Sequence, residues 1–257
     1  MVDIFQLTIP ELTEDEERTA YVYVPDAFLS NPEERYPVLY MFDGHNLFFD
    51  STATFGKSWG LKEYLDRTKR PLIIASVACN MHPETYRLGG RLSEYSPFSF
   101  SFPLFGDIKG RGKITMDWLT KTFKPYIDAH YPTRPERKYT FIGGSSMGGL
   151  MTLYALACYN DVFSRGAALS TAAFVAPEAL KEMIRSADFP RDTVLYMDYG
   201  EKDMPENSVD RNFYEIVSLL LEKQVLLESR IVPGGLHSES SWEKQVPFMM
   251  DALFYEL

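Results

Sequence analysis

The sequence predicts an α/β fold, in which a mostly parallel sheet is covered by helices on both faces. Three observations lead there. Residues 36–42 (YPVLYMF) and 71–78 (PLIIASVA) are short, continuous apolar runs, the pattern of strands buried on both faces. Segments of helical length separate such runs along the second half of the chain. Near the start, residues 3–8 (DIFQLT) and 18–24 (RTAYVYV) alternate polar and apolar instead, predicting an antiparallel pair at the edge of the sheet.

Taken in order, the elements follow from local pattern. A polar loop over 25–35 leads into the first buried strand, which ends in Asp43-Gly44-His45-Asn46. Residues 58–67 (SWGLKEYLDR) have helical spacing, with Trp59, Leu61 and Leu65 as core contacts. After the strand at 71–78 comes a long irregular stretch, 79–113, read as a loop or lid insertion. Its aromatics (Tyr95, Phe98, Phe100, Phe102 and Phe105) either wall a substrate cleft or pin the loop to the core. Residues 114–130 form an amphipathic helix that Pro125 kinks or divides. Beyond it, strands are expected up to Ile142 and at 165–170, 193–199 and 225–232. Helices are expected to about Tyr159 and over 176–186, 207–224 and 241–257. No repeat or linker interrupts this order, so residues 1–257 read as one domain.

Composition narrows the functional class. Hydrophobic residues make up 45% of the chain and aromatics 14%, enough for a large core, so disorder is excluded. A formal net charge of −10 argues against nucleic acid and anionic membrane surfaces as partners. The N-terminus lacks the basic and apolar regions of a signal peptide, and no apolar run reaches membrane-spanning length. A soluble, cytoplasmic chain is expected. Two cysteines, Cys79 and Cys158, have no metal-ligand spacing and read as buried free thiols; no metal or cofactor is implied.

Residues 139–149, YTFIGGSSMGG, carry the chemistry. Gly144-Ser145-Ser146-Met147-Gly148 fits G-x-S-x-G between a strand and a helix. A serine on so sharp a turn brings the residues two before and two after it together, which missing Cβ atoms make feasible. Ser146 is therefore the candidate nucleophile, and the N–H of Met147 a candidate oxyanion donor.

A serine hydroxyl needs a base. Of His45, His82, His130 and His237, only His237 follows Ser146, in the loop between the last strand and the last helix. That is the α/β-hydrolase order of nucleophile, acid, histidine. The acid should leave the preceding strand, where Asp198, Glu201 and Asp203 are available; Asp203 is favoured and Glu201 remains open. The second oxyanion donor belongs to the loop after an earlier buried strand, which nominates the N–H of His45, with Gly44 allowing close approach.

With these residues in view, the chain resembles the esterase D-like family of α/β-hydrolases. The resemblance rests on MFDGHNLF (41–48), RLSEYSP (91–97), IGGSSMGGLMTLY (142–154), YGEKD (199–203) and GGLHSESSW (234–242), spread over most of the chain. It implies the α/β-hydrolase fold and a serine carboxylic-ester hydrolase with a Ser146–His237–Asp203 triad. Family members include feruloyl and acetyl xylan esterases, enterochelin-type siderophore esterases, S-formylglutathione hydrolases and mycolyltransferases. The implied substrate is an acylated sugar, feruloyl or acetyl, with Tyr95, Phe98 and Trp242 as candidate binding residues. The alternatives are a siderophore trilactone or small thioester hydrolase and, outside the enzymes, a catalytically silent binding protein. A pocket for anionic siderophores would need free cations, and Arg87, Arg91, Lys109, Arg111 and Lys113 are the only candidates near the motifs.

Overall fold

In the computed structural model, residues 1–80, 89–102, 106–203 and 209–257 are described; His82, Arg87, Phe105 and the first two residues of the helix expected at 207–224 lie outside them. Eight strands form one sheet: β1 Val2–Thr8, β2 Glu17–Tyr23, β3 Val38–Met41, β4 Ile73–Val77, β7 Thr140–Ser145, β8 Arg165–Leu169, β9 Val194–Lys202 and β10 Leu226–Leu236. A small separate hairpin pairs β5 Phe100–Phe102 with β6 Gly106–Ile108. The sheet order is β1-β2-β4-β3-β7-β8-β9-β10. β1 and β2 are antiparallel to each other, β2 is antiparallel to β4, and the remaining pairs are parallel. This is the α/β-hydrolase fold, with the antiparallel N-terminal pair where the alternating sequence predicts it.

The apolar runs are continuous because each face of the sheet is covered. In β3, Val38 and Tyr40 point into one core, whereas Leu39 and Met41 point into the other. The first core is closed by the helix Met147–Cys158, whose residues are almost all buried. The second is closed by the helices Leu61–Thr68 and Val246–Leu253, through Leu61, Leu65, Met249 and Leu253.

Several elements differ from expectation for identifiable reasons. The helix expected at 58–67 begins only at Leu61, because Gly60 takes a left-handed conformation just before it. The helix expected at 114–130 is divided into Gly112–Trp118, a π-helical turn Leu119–Phe123, and Lys124–His130. Pro125, in the first turn of the last piece, has no N–H to continue the ladder from the preceding turn. The final helix is two, Glu239–Glu243 and Val246–Leu253, with Pro247 in the first turn of the second. Residues 79–113 are less irregular than they read, since they hold the helix Gly89–Glu94 and the β5–β6 hairpin. Cys79 is buried, but Cys158 is exposed.

The last two strands run further than predicted, and the extension matters. β10 continues past Val232 through a bulge, so that Leu236 pairs with Lys202 of the lengthened β9. Gly234 adopts φ +65° in this bulge, and a Cβ on Gly235 would lie 3.0 Å from the Cα of Gly200. The Pro-Gly-Gly that reads as a strand end is a bulge that lets two strand ends close on each other. Among the described residues, no helix is long and apolar enough to cross a membrane.

Candidate active site

The predicted residues all follow the carboxyl ends of parallel strands: His45 after β3, Ser146 after β7, Asp203 after β9 and His237 after β10. Ser146 has φ 58° and ψ −118°, a conformation that non-glycine residues rarely hold. It is fixed on both sides: its N–H donates to the Leu169 carbonyl at 2.9 Å, and its carbonyl accepts from Leu150 at 3.1 Å and Ala172 at 3.0 Å. A Cβ on Gly144 would lie 3.0 Å from the Cα of Gly148, which is the crowding that the motif spacing relieves. The helix Met147–Cys158 starts directly after the serine and directs its N-terminus toward it.

Asp203 and His237 meet across the close approach of β9 and β10. His237 Nδ1 lies 3.9 Å from Asp203 Oδ2, with the Asp203 side chain fully buried and His237 37% exposed. Asp203 Oδ2 also accepts from the N–H of Gly200 at 3.0 Å, while Oδ1 is buried without a hydrogen-bond partner. Glu201 points elsewhere, accepting from the N–H of Gly234 at 2.8 Å and so capping the bulge. The carboxylate beside the imidazole is Asp203.

The serine and the histidine are connected through the loop after β8. Ser170 in that loop accepts a 2.9 Å hydrogen bond from Trp242 Nε1, and the Trp242 ring meets His237 edge-on at 5.2 Å. Trp242 packs on its other side against Trp59 at 5.6 Å. Only 6% of Trp242 and 4% of Tyr95 is exposed: Trp242 backs the imidazole, and the Tyr95 hydroxyl accepts from the Asp43 N–H beneath the loop after β3. Phe98 is partly buried against the core.

The candidate oxyanion loop is a 3-10 turn, Gly44–Asn46, entered through Asp43 at φ 59° and ψ 53°. Arg91 grips Asp43 with both arms of a fork, Nε to Oδ1 and Nη2 to Oδ2, each at 2.7 Å. Burial works to raise the Asp43 carboxyl, but Arg91 overrides it and holds the group below the usual carboxylate range. His45 is buried and kept below its ordinary pKa by that burial, hence neutral. His45 Nε2 shares a 3.0 Å hydrogen bond with Thr54 Oγ1, whereas Nδ1 is buried without a partner. Among the described residues no turn, loop or cap hydrogen bond consumes the N–H of His45 or of Met147.

Asp43, His45 and Cys79 offer ligand atoms within 4.8 Å of one another. The donor set suits a divalent metal poorly, because Arg91 already occupies both carboxylate oxygens and burial pushes the Cys79 thiol up toward its protonated form. Two further acids near the site are buried. Asp198, buried within β9, accepts from Tyr196 Oη at 2.9 Å, and burial pushes its carboxyl up to about 7. Glu239, two residues after His237, is 4% exposed and likewise raised by burial. Their burial is a property of packing that the residue type does not announce.

The family model described as "Putative esterase" matches residues 12–250 of this chain. Among curated proteins, the chain is 24% identical over 151 residues to "Uncharacterized protein YbbA" of Bacillus subtilis (strain 168), a match covering 58% of this chain and about half (54%) of that relative. Among solved structures it resembles a ferulic acid esterase, at 21% identity and a TM-score of 0.70, with 99% of this chain and 97% of that chain covered. It also resembles the siderophore hydrolase EstA from Aspergillus nidulans, at 16% identity and a TM-score of 0.75, with 97% and 94% covered. A third neighbour is an S-formylglutathione hydrolase from Agrobacterium tumefaciens, at 16% identity and a TM-score of 0.67, with 98% and 95% covered. At such identities these structures speak for the fold, whereas the family model spans nearly the whole chain and both strand ends that carry the site. The chain belongs to this esterase family of serine hydrolases.

Proposed function

We propose that the protein hydrolyses small carboxylic esters through an acyl-enzyme on Ser146. The observation that carries this reading is the meeting of Asp203 and His237 at the same sheet edge as a serine held at φ 58°. His237 takes the Ser146 proton as the hydroxyl oxygen bonds to the ester carbonyl carbon. The N–H groups of His45 and Met147 receive the resulting oxyanion. The tetrahedral intermediate collapses, the ester C–O bond breaks, and His237 gives its proton to the departing alkoxide. Water then attacks the acyl-enzyme with His237 as base, releasing the acid and restoring the serine. Asp203 fixes the imidazole tautomer with the proton on Nδ1 and stabilises the cation that forms.

For the substrate, the reading is an ester of a neutral alcohol, with an acyl group (acetyl or feruloyl) on a sugar. It is supported by what three of the five basic residues near the motifs do. Arg91 is forked on Asp43, Arg111 donates to the Leu12 carbonyl, and Lys113 pairs with Asp117. Those cations are engaged within the protein, which disfavours an anionic substrate such as a ferric siderophore. The test is hydrolysis of acetyl, butyryl, octanoyl and feruloyl aryl esters by wild type and Ser146→Ala. Activity confined to wild type, strongest on acetyl or feruloyl esters, is expected. Equal activity in the folded variant would contradict the serine mechanism, and a preference for octanoyl would contradict the substrate class.

A further inference from the structure

The oxyanion loop turns on a left-handed residue. Asp43 leaves β3 in the αL region, which aspartate visits more readily than most residues with a Cβ but which is sterically disfavoured unless its surroundings hold it. Resting on the assignment of Ser146 as nucleophile and the His45 N–H as oxyanion donor, we propose that Arg91 and Tyr95 are positioning residues that set this donor through Asp43.

Both residues come from the segment after β4 that reads as a loop insertion. Arg91 lies in the helix Gly89–Glu94, and Tyr95 follows it directly. The Arg91 fork fixes the plane of the Asp43 carboxylate with two parallel hydrogen bonds, which a single point charge could not do. Tyr95 Oη accepts from the N–H of Asp43 at 3.2 Å, so the backbone of that same residue is held as well. The Arg91 guanidinium rests over the Tyr95 ring at 5.2 Å, which couples the two contacts.

The platform beneath them is rigid. Arg18 makes a second buried fork on Glu94, at 2.9 and 3.0 Å, and donates to the Ala78 carbonyl at the end of β4. Thr115 Oγ1 holds the Glu94 carbonyl at 2.8 Å. On its other flank the loop is secured independently: Thr52 donates to the His45 carbonyl at 2.7 Å, and the Thr54 N–H donates to Asn46 Oδ1 at 2.9 Å. The His45 N–H thus lies between an anchor on Asp43 and an anchor on Asn46. Removing the first anchor frees the side of the turn on which the left-handed residue must be held.

An oxyanion donor acts on charge that develops in the transition state, so misplacing it lowers kcat with little change in KM. A purely structural ion pair would lower Tm and leave the folded fraction fully active. The test compares Arg91→Lys, Arg91→Met and Tyr95→Phe with wild type for kcat, KM and affinity for an aryl trifluoromethyl ketone. Removing one oxyanion donor costs about 100- to 1000-fold in kcat, and partial misplacement should cost less. Arg91→Met should lose on the order of 100-fold in kcat and Arg91→Lys roughly 10-fold, since lysine keeps the charge but not the fork. Tyr95→Phe, which keeps the ring and loses only one acceptor, should lose about 3- to 10-fold and serves where the Arg91 variants do not fold. In each case ketone affinity should fall by the same factor as kcat/KM. Wild-type kcat and wild-type ketone affinity in folded Arg91→Lys and Tyr95→Phe would overturn the proposal. If Ser146→Ala is inactive while these variants are unchanged, the positioning role alone fails; if Ser146→Ala stays active, the nucleophile assignment itself is wrong.

Discussion

The serine elbow and the proposed oxyanion loop lie at the same sheet edge but are built in opposite ways. The elbow is local. Gly144, Ser146 and Gly148 fall within five consecutive residues; a Cβ on Gly144 would meet the Gly148 backbone, and the one outside group both glycines make room for is the Phe42 side chain at the end of β3. The oxyanion loop is remote. Its left-handed Asp43 is held by Arg91 and Tyr95, about fifty positions later, over a platform clamped by Arg18. The acid–histidine corner lies between these extremes, since two glycines on neighbouring strands let Asp203 and His237 approach. A site made of short-range geometry can be read from a motif, while one made of long-range anchors needs the fold.

That comparison can be broken by substitution. The largest effect is expected at the acid. Asp203→Asn should lower kcat by about 10⁴-fold by presenting the wrong partner to the imidazole, while Glu201→Gln should leave it within about threefold. Steady-state kinetics on the preferred ester checks both. Similar losses in the two variants would mean that the corner is assembled differently. Next is the platform. Arg18→Met leaves Glu94 buried without its fork and should destabilise the protein by about 3–5 kcal/mol, read from denaturant midpoints. The elbow's local construction makes the reverse prediction for Trp242→Phe. That variant loses the hydrogen bond to Ser170 but keeps an aromatic backing for His237, so stability should fall by only about 1 kcal/mol with the Ser146 conformation unchanged.

A further effect is electrostatic. Asp198 titrates near 7 in the folded protein because burial disfavours its anion, whereas it titrates near 3.8 when exposed. Between those values the folded state binds the extra proton, so this residue's contribution to stability falls as pH rises from about 4 to about 7. Asp198→Asn, fixed in the neutral form, should flatten that part of the Tm-versus-pH curve. An unchanged slope would mean that Asp198 is ionised in the fold.

Much of this was legible in the sequence for physical reasons that also explain what was not. The parallel strands announced themselves because both faces of β3 and β4 are buried, leaving no polar alternation. The sharp turn at Ser146 was readable because its steric requirement writes glycines at fixed spacing, and His237 was nominated because chain order left one histidine after it. The bulge at residues 233–235 was hidden because Pro-Gly-Gly marks a turn and a bulge alike. The contacts of Arg91 and Tyr95 were hidden because nothing in their neighbourhood encodes Asp43 as their partner. The Trp242 ring, offered as a binding residue, lies behind His237 for the same reason: direction and depth come from packing.

The most direct test of the central claim is covalent. Wild type and Ser146→Ala are treated with an aryl fluorophosphonate, and the adduct is located by intact mass and peptide mapping. One stoichiometric adduct on Ser146, absent from the folded variant and accompanied by loss of ester hydrolysis, is the predicted result. No adduct, or one on another residue that accompanies inactivation, would contradict the account.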